Sequence, residues 1–219
     1  MNKKPEDSKF TTRRNPQTGT RNIKVGLILP AAGASKRLGN FPKQLLEFRG
    51  KTLIRRAAEN ALASECGKIC VVLGASAGKI KREIDDLPIE IAVNEDWVNG
   101  MSSSLKSGLG KLLEIEPELS AAVVMLADQP LIDSTIINRL IEVFLETQAP
   151  IVASRYAETV GVPAIFARSM FDELMSLTND GGAKLIIKKY AAAVEKVRVP
   201  EAAFDVDTPQ DYENLLKLK

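Results

Sequence analysis

Residues Ile23–Gln44 read IKVGLILPAAGASKRLGNFPKQ, and the fold is decided by how that stretch is taken. The apolar run from Val25 to Leu29 predicts a buried strand, with Pro30 stopping it. A loop of small residues with two cations follows: Ala31, Ala32, Gly33, Ala34, Ser35, Lys36, Arg37, Leu38 and Gly39. Small side chains let backbone N–H groups approach a ligand closely, and Gly33 and Gly39 are free to take φ > 0 where the bend needs it. Successive N–H groups in such a bend make a concavity suited to anions, to which Lys36 and Arg37 add full charge. Pro42-Lys43-Gln44 then sets another cation on a stiffened turn. The ligand this pattern suggests is a nucleoside triphosphate. A glycine-containing loop alone is weak evidence, so the rest of the chain must decide.

Outward from this stretch, short apolar runs alternate with helical patterns. Thr52 is placed to cap a helix carrying Leu53, Ala57 and Ala61 on one face. Lys68–Leu73 predicts a second buried strand, Gly78–Asp85 a helix, and Ile89–Val93 a third strand. The segment GASAGKI resembles a Walker A loop, but it is one residue short and has Ile80 where a hydroxyl is required. Met101, Leu105, Leu109 and Leu113 recur along one helical face, which puts Ser102, Ser103 and Ser104 in a first turn with unpaired N–H groups. Ala121–Ala127 predicts a fourth strand, closed by Asp128-Gln129-Pro130. An acid at the carboxyl end of a central strand lies where open α/β sheets bind ligands. Asp133 caps a helix from Ser134 to Thr147, and Pro150–Ser154 predicts another strand. In the extended piece Gly161–Phe166, Pro163 marks an edge or a bend. Arg168–Leu177 reads as helical, and the turn from Asn179 to Gly182 opens a helix bearing Lys184. A last strand, Val194–Val199, precedes Asp205, Asp207 and a Thr-Pro helix start. The alternation predicts an α/β, three-layer, Rossmann-like domain around a mostly parallel central sheet.

Composition narrows the chemistry. At 219 residues with 45% apolar and 26% charged residues, the chain fits one soluble globular domain. The absence of an apolar run of membrane-spanning length, and of a signal-peptide pattern, points to the cytoplasm. Histidine is absent, which removes Ser-His-Asp and Cys-His catalysis and every His-ligated metal site. Cys66 and Cys70 have neither redox nor zinc spacing and read as core thiols. The net charge of +2 gives no reason to expect nucleic acid. Residues 1–22 carry six basic residues against two acids and read as a disordered leader, leaving 23–219 as the folded domain. A basic arm for RNA or protein is the other reading of that leader.

Four separated signatures, LPAAGASKRLGNFPKQLL, NEDWVNGMSSSLKSGL, VVMLADQPLID and FDVDTPQDY, resemble in order and spacing those of the molybdopterin cytidylyltransferase and guanylyltransferase-like nucleotidyltransferases. GVPAIFARSMFDELMSLTNDGGAKLI resembles the fifth signature of that family. The resemblance implies that Ala31 to Arg37 hold triphosphate and base, with Lys43 near the α-phosphate. It further implies that Asp128 and Asp207 bind Mg²⁺, and that Asn94, Ser103 and Ser104 line the nucleotide pocket. Arg37, Lys43 and Asp128 would be catalytic, and Asp180, Gly182 and Lys184 would meet the acceptor. Family members using CTP have Ala-Ala-Gly in the loop where guanylyl enzymes have Ala-Gly-Gly, so Ala32 implies CTP. The implied acceptor is molybdopterin phosphate, with a molybdenum enzyme as partner. Departures bear mainly on that acceptor: Pro30 replaces Leu, as in cytidylyltransferases of sugar-alcohol phosphates, and Asn179 and Lys184 replace Gly and Arg. A transferase acting on a sugar or polyol phosphate, and a non-catalytic nucleotide-binding accessory protein, are the alternatives.

Overall fold

The computed structural model describes residues 23–39, 41–178 and 181–218, with Lys36 described by its backbone alone. The predicted leader, residues 1–22, and the acceptor candidate Asp180, with its neighbour Asn179, lie outside the described residues. At the centre runs β1 (Val25–Ala31), all of whose residues are buried. It pairs in parallel with β4 (Lys68–Leu73) on one side and β6 (Ala121–Val124) on the other. Beyond β4 lies β5 (Glu90–Val93), also parallel. Beyond β6 come β8 (Thr159–Ala167), β7 (Ile151–Tyr156) and β9 (Val194–Arg198). Only β8 runs against its neighbours in this seven-stranded sheet. The short pair β2 (Glu47–Phe48) and β3 (Lys51–Thr52) forms a separate hairpin whose turn residues, Arg49 and Gly50, both have positive φ.

Strands this apolar are covered on both faces. Leu27 and Leu29 point to one face, where α1 (Leu53–Leu62), α2 (Ala77–Lys81) and α4 (Ser134–Thr147) pack with Ile54, Ile80, Ile137 and Leu140. Ile28 points to the other, against Leu105, Leu109 and Leu112 of α3 (Met101–Ile115). The short helices α5 (Phe171–Met175) and α6 (Gly182–Lys189) complete that layer. A smaller cluster of Phe48, Leu53, Val206 and Leu215 docks α7 (Pro209–Leu216) against the hairpin. This is the expected mixed α/β, three-layer arrangement. Cys66 and Cys70 are buried and unbridged, and burial pushes their thiols up to about 11 and about 12. Among the described residues, no helix is long and apolar enough to cross a membrane.

Several boundaries differ from the sequence reading, each for a physical reason. Pro30 does not stop β1, because pairing with β6 has ended at Ile28 and the ring stands where the strand has one neighbour. The strand expected over Ala121–Ala127 ends at Val124, and residues up to Asp128 turn into the cleft instead. Pro163 is not on an edge: β8 lies between β6 and β7, and the missing N–H is absorbed where the β7–β8 register shifts at Ala153/Ser154. The helix expected from Gly78 to Asp85 is the single turn and a half of α2, from Ala77 to Lys81.

The order β5-β4-β1-β6 places the functional end of the sheet. The chain leaves β1 for β4 on one side and later returns to β6 on the other. Connections at the carboxyl ends of β1 and β6 therefore diverge and leave a crevice between them.

Candidate active site

That crevice is built first by the bend after β1. Ser35 (φ 53°) and Gly39 (φ 64°) occupy the left-handed region and bracket a 3-10 turn over Lys36–Leu38. Of the two glycines free to take positive φ, Gly39 does so and Gly33 does not, and Ser35 also takes that conformation. Gly33 faces open space: apart from its chain neighbours, no atom of the described residues lies within 4 Å of where a Cβ would stand. Ser35 Oγ accepts a hydrogen bond from the Lys43 backbone N–H (3.0 Å), closing the loop on the second cationic turn. Next to it, the buried Gln44 donates from Nε2 to the Ala31 carbonyl (3.3 Å), tying that turn to the end of β1.

Lys43 reaches across to the opposite wall. Its ammonium donates to Asp128 Oδ2 and to Asp207 Oδ1, the latter at 2.7 Å. Arg37 pairs with the other oxygen of Asp207 at 2.8 Å. Two acids 79 positions apart in sequence thus meet on one cation. The backbone explains how: the Val206 N–H donates to the Asp128 carbonyl (2.9 Å), laying the segment before α7 alongside the end of β6. A capping box between Thr208 and Asp211 then fixes where that segment stops. Burial alone would lower the Lys43 pKa, but Asp128 and Asp207 outweigh it and hold the ammonium above its ordinary value. Burial alone would raise that of Asp207, yet Lys43 and Arg37 keep it below the usual carboxylate range.

Arg37, Lys43 and Asp128 line a cleft of about 360 Å³ together with Ala32, Gly33, Gln44, Trp97 and Ser104, and Asp207 stands behind them on Lys43 and Arg37. Of the positions expected to contact nucleotide, Asn94 and Ser103 lie on an adjoining, more open hollow. Asn94 acts there as a clasp: its Nδ2 donates to Ser103 Oγ (2.8 Å) and Ser104 Oγ (3.2 Å), and its Oδ1 accepts from the Asp96 N–H. Across Met101 and Leu126 a second cavity of about 270 Å³ opens, lined by Lys184, Gln129, Tyr156 and Asp205 among apolar side chains. Gly182, with φ +54°, is packed beside that wall, where a Cβ would stand 2.6 Å from Met101 Cγ.

Does this donor set fit a divalent cation? Among the described residues Asp128 Oδ1 is buried without a hydrogen-bond partner, while Asp128 Oδ2 and Asp207 Oδ1 converge on a single point of positive charge. Among the described residues there is no cluster of three or more His, Cys, Asp or Glu suited to a metal. Two carboxylates without a closed protein cage suit a hard cation whose shell is completed by phosphate oxygens and water. The residues fit.

With the geometry in place, comparison with known proteins assigns the family. Residues 26–194 match the MobA-like NTP transferase domain. The chain belongs to that family. This MobA-like chain is 31% identical over 202 residues to nicotine blue oxidoreductase of Paenarthrobacter nicotinovorans, covering 86% of this chain and 95% of that one. It is also similar to the crystal structure of Rv0371c from Mycobacterium tuberculosis H37Rv, at 31% identity and a TM-score of 0.78 over 89% of this chain and 98% of that one. Rv0371c in complex with manganese gives 28% identity and a TM-score of 0.75, over 90% of this chain and all of that one. Molybdopterin-guanine dinucleotide biosynthesis protein A from Archaeoglobus fulgidus shares the fold at 15% identity, with a TM-score of 0.66 over 88% and 97% of the two chains.

The sequence reading missed residues that shape the MobA-like cleft. Gln44 and Trp97 line it, and Gly74 lets the loop after β4 approach, since a Cβ there would stand 2.7 Å from those of Ala32 and Trp97. The one tryptophan of the chain, inside a signature already singled out, was the available signal. Gln129 lay within another, and its Nε2 donates to the Ala202 carbonyl (3.0 Å) from a buried position.

Proposed function

We propose that this chain is a Mg²⁺-dependent nucleotidyltransferase that moves CMP from CTP to molybdopterin phosphate and releases pyrophosphate. The observation that carries the reading is the meeting of Asp128 and Asp207 on Lys43, beside the bend that carries Arg37. The acceptor phosphate attacks the α-phosphorus and the bond to pyrophosphate breaks. That nucleophile is already anionic, so no side chain need remove a proton, in keeping with a chain that has no histidine. The work left to the protein is orientation and bringing anions together. Lys43 and Arg37 supply charge along the polyphosphate, and Gly33 leaves its backbone open to it. A divalent cation on Asp128 and Asp207 supplies neutralisation between phosphate oxygens when bound. The manganese complex of Rv0371c supports a divalent ion here. The Ala32 methyl lies on the cleft wall, which favours a pyrimidine over a bulkier purine. Lys184 and the cavity beyond Met101 then receive the acceptor, with Gly182 packed beside it and Asp180 assigned to the acceptor from the same stretch of sequence. Asn94 supports the nucleotide wall by donating to both Ser103 and Ser104.

The test is a panel of CTP, GTP and UTP against molybdopterin and sugar or polyol phosphates, with pyrophosphate as the readout. Pyrophosphate from CTP with molybdopterin supports the proposal; release only with a polyol phosphate assigns the acceptor implied by Pro30. A second reading comes from the relative named nicotine blue oxidoreductase. Consumption of nicotine blue, with no pyrophosphate from any pair in the panel, would favour it.

A further inference from the structure

Three of the four carboxylate oxygens of Asp128 and Asp207 are engaged by side-chain cations: two by Lys43 and one by Arg37. The fourth, Asp128 Oδ1, is buried without a hydrogen-bond partner among the described residues. A divalent ion bound by these acids would sit about 2.0–2.1 Å from oxygens that Lys43 now contacts. An ammonium and a divalent ion compete for those oxygens at such range, because like charges repel more strongly in a partly buried site than in water. The Lys43 backbone is meanwhile pinned, by its own N–H on Ser35 Oγ, by the Gln44 amide on Ala31, and by Pro42 before it. Only the side chain is free to leave, and it lines the same cleft as Gly33 and Arg37. Arg37, with 68% of its side chain exposed, is free to leave with it.

We infer that Lys43 is an exchangeable counter-ion that makes metal and nucleotide binding depend on each other. The polyphosphate draws Lys43 and Arg37 onto its own oxygens and so uncovers the carboxylates for the divalent ion. Without the polyphosphate, the ion must displace the ammonium unaided. Linkage makes the effect reciprocal: each ligand tightens the other by the same factor, roughly 5–150-fold if the coupling is of the usual size. This inference rests on the metal role given above to Asp128 and Asp207. It adds a second duty for Lys43, distinct from meeting the α-phosphate.

The experiment is Mn²⁺ titration of the full chain followed by electron paramagnetic resonance, with and without saturating α,β-methylene CTP. Mn²⁺ bound by the nucleotide itself is measured separately and subtracted. Wild type is expected to bind Mn²⁺ roughly 5–150-fold more tightly with the nucleotide present. Lys43→Met is expected to bind Mn²⁺ more tightly than wild type without nucleotide, and to lose most of the coupling. Its melting temperature should also rise more on adding Mn²⁺ than that of wild type, a readout that reports folding at the same time. Asp128→Asn should bind Mn²⁺ poorly in either background. Equal Mn²⁺ affinity of wild type and Lys43→Met without nucleotide overturns the exchange; if Asp128→Asn still abolishes binding, the metal role stands. Mn²⁺ binding by neither form, with nucleotide still bound, removes the metal role and the exchange together.

Discussion

Lys43 and Asp128 face each other across the cleft, yet their removal should leave different signatures. Asp128→Ala deletes a carboxylate that a divalent ion requires, and is expected to abolish metal-dependent pyrophosphate release while nucleotide binding persists. Lys43→Ala deletes one charge donor and should lower kcat by roughly 10²–10³, the scale of losing a single group aimed at developing charge. Steady-state pyrophosphate assays at saturating CTP check both, and metal-dependent turnover by Asp128→Ala would remove it from the metal site. Conservative chemistry will not restore Lys43 fully, because an arginine fork there would meet Asp128 and Asp207 with a different reach and planarity.

At the scale of elements, the site depends on how closely α3 lies on the sheet. Gly108 makes that approach: a Cβ there would stand 2.5 Å from Ile28 Cγ2 and 2.8 Å from Val72 Cγ2. Gly108→Ala should therefore overpack the interface and cost about 1–3 kcal/mol, read as a lower midpoint in urea. The start of α7 holds the second acid. Thr208 Oγ1 accepts from the Asp211 N–H, and the Asp211 carboxylate accepts from the N–H groups of Asp207 and Thr208. Thr208→Ala is expected to lose about 1 kcal/mol of stability, and to lower kcat by loosening Asp207. A stability loss with unchanged kcat would show that the cap does not position the acid. The same elements show what was legible beforehand. Period and capping placed β4, the Thr52 cap and the Asp133 cap, because those signals are local. The ends of β6 and β8 were not readable, since neighbouring strands, and not the strand's own residues, decide where pairing stops. In the site, the acids and cations were visible as residue types in motifs. The convergence of Asp128 and Asp207 was implied by the family resemblance and by nothing local, because it depends on the hydrogen bond from Val206 to Asp128, which no local pattern encodes. Ser103 and Ser104 illustrate the reverse, since residues adjacent in a motif line different hollows once α3 is wound.

For the whole molecule, the ion-pair network sets a pH signature. Asp207 is held below its ordinary 3.8, so its stabilisation is in place above that value and drains away as pH falls through the lower folded value. Lys43 is held above 10.5, so its share is complete below that value and is lost only as pH rises through the higher folded one. Between these limits, Asp207→Asn should cost about 1 kcal/mol, kept small by the solvent-exposed Arg37. That loss corresponds to a drop in Tm of about 2–4 °C for a chain of this size. Thermal melts without metal should show this gap at pH 7 and see it close below the folded pKa of Asp207; a gap that persisted there would mean that the loss is not electrostatic. One further consequence follows from the span of the network, which joins Lys43 to a residue 164 positions later. During synthesis the bend after β1 emerges from the ribosome long before Asp207 does. A chain made only as far as β6 has Lys43 and Asp128 but not the second acid that Lys43 engages, so the three-residue contact closes only when the segment before α7 folds down.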